Sequence, residues 1–115
     1  MKWDGPERRK YVRIKFPCKI FIFTPTQHII STHTENISMG GIKLAIEEKL
    51  KISSLIDLEI YVYDETIVCK GKVTWGTKKE SRCHKGVYYY DIGVDFHDIS
   101  DKDKKIIRRL IESED

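Results

Sequence analysis

Between Leu55 and Tyr63 every second residue is apolar: Ile56, Leu58, Ile60 and Val62, with Asp57 and Glu59 between them. A helix would scatter those side chains around its circumference. Only an extended chain brings them all to one face. The same period of two returns in Ile67–Trp75, where Cys69, Gly71, Val73 and Trp75 alternate with Lys70, Lys72 and Thr74. It returns again in Val87–Phe96, where Tyr88, Tyr90, Ile92, Val94 and Phe96 alternate with Asp91, Gly93 and Asp95. A chain with this pattern must build a sheet that buries one face and wets the other.

The remaining strands are shorter. Val12, Ile14 and Phe16 begin one, Pro17 marks a bulge or an edge position, and the strand resumes over Cys18–Phe23. Thr24–Gln27 reads as a hairpin turn and His28–Glu35 as the return strand. Asn36–Gly41 is a second turn, followed by a third strand over Ile42–Ile46. Glu47–Ser54 is a polar connection, Asp64–Thr66 a turn, and Gly76–Gly86 a charged loop. After the sixth strand, Ser100 with Asp103 three residues on has the form of a helix capping box. Ile106, Ile107, Leu110 and Ile111 then make one apolar helical stripe, with Lys102, Lys104, Lys105, Arg108 and Arg109 on the solvated side. Six short strands with turn signals avoid open edges best by closing. The expected fold is mainly β: a six-stranded antiparallel β-barrel over residues 12–96, with a C-terminal α-helix over 101–112 covering part of its surface or one mouth.

Bulk properties set the class. The 115 residues are one domain's worth, and 40% hydrophobic with 34% charged residues is a globular composition. No apolar run approaches the roughly 20 residues that span a bilayer, and no signal peptide pattern opens the chain. Three cysteines, Cys18, Cys69 and Cys83, are an odd set that suits reduced thiols and a cytoplasmic location. Residues 1–8, with Gly5 and Pro6, read as a flexible N-terminal arm.

The net charge of +3 is modest, but its distribution is not. Lys2, Arg8, Arg9, Lys10, Arg13, Lys15 and Lys19 crowd the N-terminus against only Asp4 and Glu7. A guanidinium is planar, permanently charged and forked; it pairs with phosphate, with the O6 and N7 edge of guanine, and with a base plane. Asn36, Ser38, Gly40 and Gly41 supply an amide, a hydroxyl and two backbones free of Cβ, with positive φ permitted. Taken separately, the arginines also suit a solvated tail, and the second stretch suits an ordinary turn.

Together they carry a resemblance. Arg8, Arg9 and Arg13, then Asn36, Ser38 and Gly41, then Gly93, Val94, Asp95 and Phe96, stand in the order and at the separations of the PilZ domain family of bacterial cyclic di-GMP receptors. The resemblance runs from Arg8 to about Ile111, and the fold it implies is the split-barrel type of that family, with residues 1–115 as a single PilZ domain. It implies a non-enzymatic receptor whose ligand is cyclic di-GMP, with no cofactor and no metal. The arginines would clamp phosphates and meet the guanines; Asn36, Ser38 and Gly41, with Gly40 beside them, would hold another part of the ligand. Trp75 ends a strand where some relatives place an aromatic ring against a guanine. Asn36 stands where many members have Asp, which keeps an acceptor, adds a donor and loses a charge. The implied output is a signal to a partner protein as the arm folds over the ligand, by a chain that is monomer or homodimer.

Other chemistries find little in the sequence. Ser38 lacks the surroundings of a nucleophile, and His28, His33, His84 and His97 are scattered. Cys83 and His84 have no second pair at zinc-ligand spacing. Two rivals to the receptor reading remain. One is a small basic barrel binding single-stranded nucleic acid, for which the charge is low. The other is a PilZ-like protein-interaction module without ligand.

Overall fold

The computed structural model describes residues 13–114. The strands are β1 (Lys19–Phe23), β2 (Ile29–Ile37), β3 (Gly41–Ile46), β4 (Leu55–Val62), β5 (Glu65–Glu80) and β6 (Tyr88–Asp98), followed by helix α1 (Asp101–Glu114). They form a closed barrel in the order β1-β2-β3-β6-β5-β4, with every neighbour antiparallel. The expected barrel with a C-terminal helix is the observed architecture. β1 is the closing strand: its five residues pair with β2 on one side and with β4 on the other.

The period of two does what it must. On β4, Ile56, Leu58, Ile60 and Val62 all point inward and are buried, while Asp57 on the other face pairs with Lys70 of β5 at 2.8 Å. Ile20 and Ile22 of β1, Ile42 and Leu44 of β3, and Ile92 and Val94 of β6 complete the interior. The helix joins the same core through Ile106, Ile107 and Leu110, while its lysines and arginines stay exposed.

The capping box is half realised. Ser100 Oγ accepts the Asp103 N–H at 3.1 Å, but the Asp103 carboxylate accepts the Val68 N–H of β5 at 3.3 Å. The N3 acid thus docks the helix on the barrel instead of turning back to its own cap.

Several boundaries differ from the sequence reading, each for a reason. β5 does not stop at Trp75; it runs on to Glu80 because β6 continues to pair with it, down to Glu80 opposite Tyr88. The expected loop of 76–86 shrinks to its last part. The strand expected from Val12 is a single bridge at Ile14, after which Pro17 interrupts pairing until β1. Val12, the arm of residues 1–8, and Arg8 and Arg9 lie outside the described residues.

Cys18 and Cys69 are buried and Cys83 is exposed, all three as free thiols. Burial, with the Asp103 and Asp98 charges nearby, pushes the Cys69 thiol from 9.0 up to about 12. Its folded form stays neutral where the unfolded chain would ionise, so this contribution to stability is full below pH 9.0 and is lost as pH rises toward about 12. A maleimide reagent at neutral pH is expected to label Cys83 alone in the folded chain and all three thiols in denaturant; fast native labelling of Cys69 would contradict this burial. Ile107→Ala, at the centre of the helix stripe, is expected to cost about 2–5 kcal/mol in urea unfolding.

Candidate functional site

The chain ahead of β1 is tied to β2 by two fasteners. The Thr34 hydroxyl, 2% exposed, accepts the Cys18 N–H at 2.9 Å and donates to the Phe16 carbonyl at 2.9 Å, bracketing Pro17. Farther along, Ile14 and Ile37 exchange both backbone hydrogen bonds at 3.0 Å. This bridge brings Arg13 beside Asn36, and the Arg13 guanidinium donates to Asn36 Oδ1 at 2.8 Å. Arginine has only donors, so the carboxamide must turn its oxygen toward Arg13. The first and second sequence motifs therefore meet side chain to side chain.

Asn36 is inside β2, not in a turn, and it faces outward because of a bulge. Thr34 pairs with Leu44 and Asn36 with Lys43, so Glu35 is an extra residue. Without it Asn36 would share the inward face of Thr34. Trp75 repeats the device. Val73 pairs with Val94 and Trp75 with Gly93, so Thr74 is extra. Strict alternation placed Trp75 with Cys69, Gly71 and Val73; the bulge corrects this, leaving Val73 fully buried and Trp75 40% exposed.

The register then aligns the two bulged residues. Asn36 lies opposite Lys43, Lys43 opposite Gly93, and Gly93 opposite Trp75. These four form one row across the outer face of β2, β3, β6 and β5, about 14 Å long over three inter-strand steps, with Arg13 at its end. Gly93 is the floor for the indole: a Cβ there would fall on Trp75 Nε1 and its ring carbons. Lys43 pairs with Glu35 at 3.2 Å. In the neighbouring row Asp91, only 4% exposed, holds Lys79 at 2.8 Å. The hydrogen bond and charge of Asp91 raise the Lys79 pKa. Among the described residues Asp91 Oδ1 has no hydrogen-bond partner.

Ser38 is 1% exposed, and its hydroxyl is spent inside the turn. It accepts the Gly40 and Gly41 N–H groups at 3.1 and 3.2 Å and donates to the Gly41 carbonyl at 3.3 Å. The Gly40 carbonyl in turn accepts the Phe96 N–H at 2.9 Å. Gly41 does not use positive φ. Its need is close approach, since a Cβ would land on the Val94 carbonyl oxygen. Ser38, Gly40 and Gly41 thus fix the corner between β2 and β3, while Arg13, Asn36 and Trp75 present groups outward.

Sequence reasoning missed Lys43 as a member of the row. Its outward parity was visible between Ile42 and Leu44, but its place beside Asn36 needs the register. Among the described residues no group of three His, Cys, Asp or Glu side chains could hold a metal, and no helix is long and apolar enough to cross a membrane.

Two substitutions separate corner from row. Ser38→Ala leaves the two glycine N–H groups without an acceptor and is expected to cost about 1–3 kcal/mol, whereas Asn36→Ala is expected to stay within about 1 kcal/mol of the parent. Gly93→Val is expected to displace the indole, seen as a red-shifted Trp75 emission in a Trp3→Phe background; an unchanged spectrum would contradict the Gly93–Trp75 contact.

Comparison with known proteins bears on the family and the fold. The PilZ domain family matches residues 7–113. No curated protein matches by sequence. The PilZ domain of Escherichia coli YcgR, solved with c-di-GMP, is 14% identical with a TM-score of 0.77, over 94% of this chain and 92% of that one. The Bacillus subtilis inhibitor of motility MotI/DgrA is 20% identical with a TM-score of 0.72, over 96% of this chain and 55% of that one. The K. pneumonia MrkH–c-di-GMP complex is 15% identical with a TM-score of 0.76, over 94% of this chain and 52% of that one. The chain thus spans about half the length of the last two, and at these identities the likeness is one of fold. With nearly its whole length matched, the chain belongs to the PilZ domain family.

Proposed function

We propose that this chain is a non-enzymatic receptor for cyclic di-GMP, acting in the cytoplasm as a single domain of residues 1–115. The observation that carries the reading is the 2.8 Å hydrogen bond from Arg13 to Asn36 at the end of a row that finishes at an exposed indole. The ligand needs cations for two phosphates and flat or forked groups for two guanines. Arg13 and Lys43 supply charge, Trp75 supplies a stacking plane, and Asn36 supplies an amide. Arg8 and Arg9 arrive from the N-terminal side, five and four residues before Arg13, and complete the clamp in this reading. Ser38, Gly40 and Gly41 serve by holding the corner. The family membership and the named ligand of the YcgR and MrkH structures support the same assignment. In this reading the bound ligand, together with the arginines that hold it, presents a surface that is read by a partner protein.

Titration calorimetry of the full chain tests the reading. Cyclic di-GMP is expected to bind, and GTP and cyclic di-AMP are expected not to. Arg13→Ala removes a charge-assisted contact worth about 1.5–3 kcal/mol, so a loss of about tenfold to a hundredfold is expected. Asn36→Asp keeps the acceptor for Arg13 and is expected to bind within about tenfold of the parent. No heat with any nucleotide would refute the receptor. Binding of single-stranded nucleic acid with a steep salt dependence would replace it.

A further inference from the structure

The outer row has a reverse side. β4 ends its pairing with β5 at Leu55 opposite Lys72, while β5 continues with β6 alone for eight more residues, to Glu80. The inward face of that extension has no β4 to cover it. Gly76 and Lys78 point there, opposite Ile92 and Tyr90, which in turn oppose Leu44 and Ile46 of the core. The segment from Lys49 to Ile52 hangs over this face. It is pinned by Ser53 N–H to the Val73 carbonyl at 2.7 Å and by Val73 N–H to the Ser54 carbonyl at 3.0 Å. A groove of about 520 Å³ remains between them.

Its lining has two chemistries. Leu50, Ile52, Tyr90 and Ile92 are apolar, and Ile52 is 56% exposed. Among the described residues Lys49, Lys51 and Lys78 are the charged ones that line the groove, with no carboxylate beside them. Among the described residues none of the three lysines has an ion-pair partner, whereas Lys43, Lys70, Lys79 and Lys104 each have a carboxylate within 4.0 Å. Lys78 lies over the Tyr88 ring at 4.5 Å. The nearby Glu80 carboxylate is taken up by the Gly86 N–H at 2.7 Å. An apolar slot with a rim of one sign of charge suits an apolar side chain flanked by acids. Being concave, it suits a peptide segment better than a flat lipid surface.

We propose that this groove docks an acidic segment of a partner protein, with an apolar side chain of that segment inserted between Leu50 and Tyr90. Gly76 and Ile92 line the groove, and their chain neighbours Trp75 and Gly93 form the outer row on the other side of the same two strands. The partner site thus backs the ligand site through a single layer of sheet. This placement rests on the receptor reading for its meaning as an output; the groove itself does not.

The test needs no nucleotide. The probe is a short amidated peptide of glutamates and aspartates around one phenylalanine and one leucine, titrated into the isotope-labelled full chain by NMR. Amide shifts are expected to cluster at 49–52, 76–78 and 90–92, with a dissociation constant of about 10–100 μM. A Cβ at Gly76 would meet Ile92 only at 3.5 Å and φ there is not positive, so the fold tolerates a side chain that fills the slot. Gly76→Leu, and separately Lys51→Glu with Lys78→Glu, are expected to weaken the probe at least tenfold and to leave cyclic di-GMP binding within about twofold. The proposal is overturned if the probe causes no shifts, if a peptide with serines replacing the two apolar residues binds as well, or if phosphatidylglycerol vesicles bind through these lysines while the peptide does not. Loss of nucleotide binding in the parent chain, with peptide docking intact, would overturn the receptor reading alone.

Discussion

Closure of the barrel is the constraint on which everything else depends. β1 is only five residues long, yet it pairs along its length with both β2 and β4. With it in place the sheet closes on itself, only the end of β5 beyond Val73 running on past β4, and every side chain of the closed part must go either in or out. The interior is then filled by isoleucine, leucine and valine. Function has to be built on the outside, where a sheet ordinarily shows an even mix of polar residues.

Two bulges turn that outside into a site. An extra Glu35 swings Asn36 away from the interior, and an extra Thr74 does the same for Trp75. Both sit on strands flanking the β3–β6 pair, whose register is regular from Gly41–Asp95 to Ile46–Tyr90. A rigid centre thus carries Lys43 and the bare Gly93 between two re-aimed ends. The Ile14–Ile37 bridge adds Arg13 to one end. Each device is local and backbone-based, so side chains of the row can change without loss of the barrel.

Much of this was legible in the sequence. The alternation in Leu55–Tyr63 marked Ile56, Leu58, Ile60 and Val62 as buried, and that in Val87–Phe96 marked Ile92 and Val94, but there Asp91 and Gly93 are buried as well and Tyr88 is exposed. Ser100 marked the start of the helix. The two motifs pointed to Arg13 and Asn36 as parts of one site, and the structure adds that their side chains meet. What alternation could not reveal is an inserted residue: a bulge leaves composition unchanged and reverses parity beyond it, which is why Trp75 was assigned to the wrong face. The length of β5 was hidden for a related reason. Gly76 to Glu80 is charged and looks like a loop, and only pairing with Tyr88 to Ile92 of β6 makes it strand. The role of Ser38 was half visible. A serine three residues before a glycine suggests a contact group, whereas the buried hydroxyl serves the corner's own N–H groups.

The central claim is that the row from Arg13 to Trp75 receives a cyclic dinucleotide. Backbone and indole chemical-shift mapping of the labelled full chain with cyclic di-GMP tests it most directly. The account predicts large shifts at Arg13, Asn36, Lys43 and Gly93 and at the Trp75 indole N–H, with small ones at β1 and β4 on the other side of the barrel. Shifts confined to the far side, or none at saturating nucleotide, would contradict it.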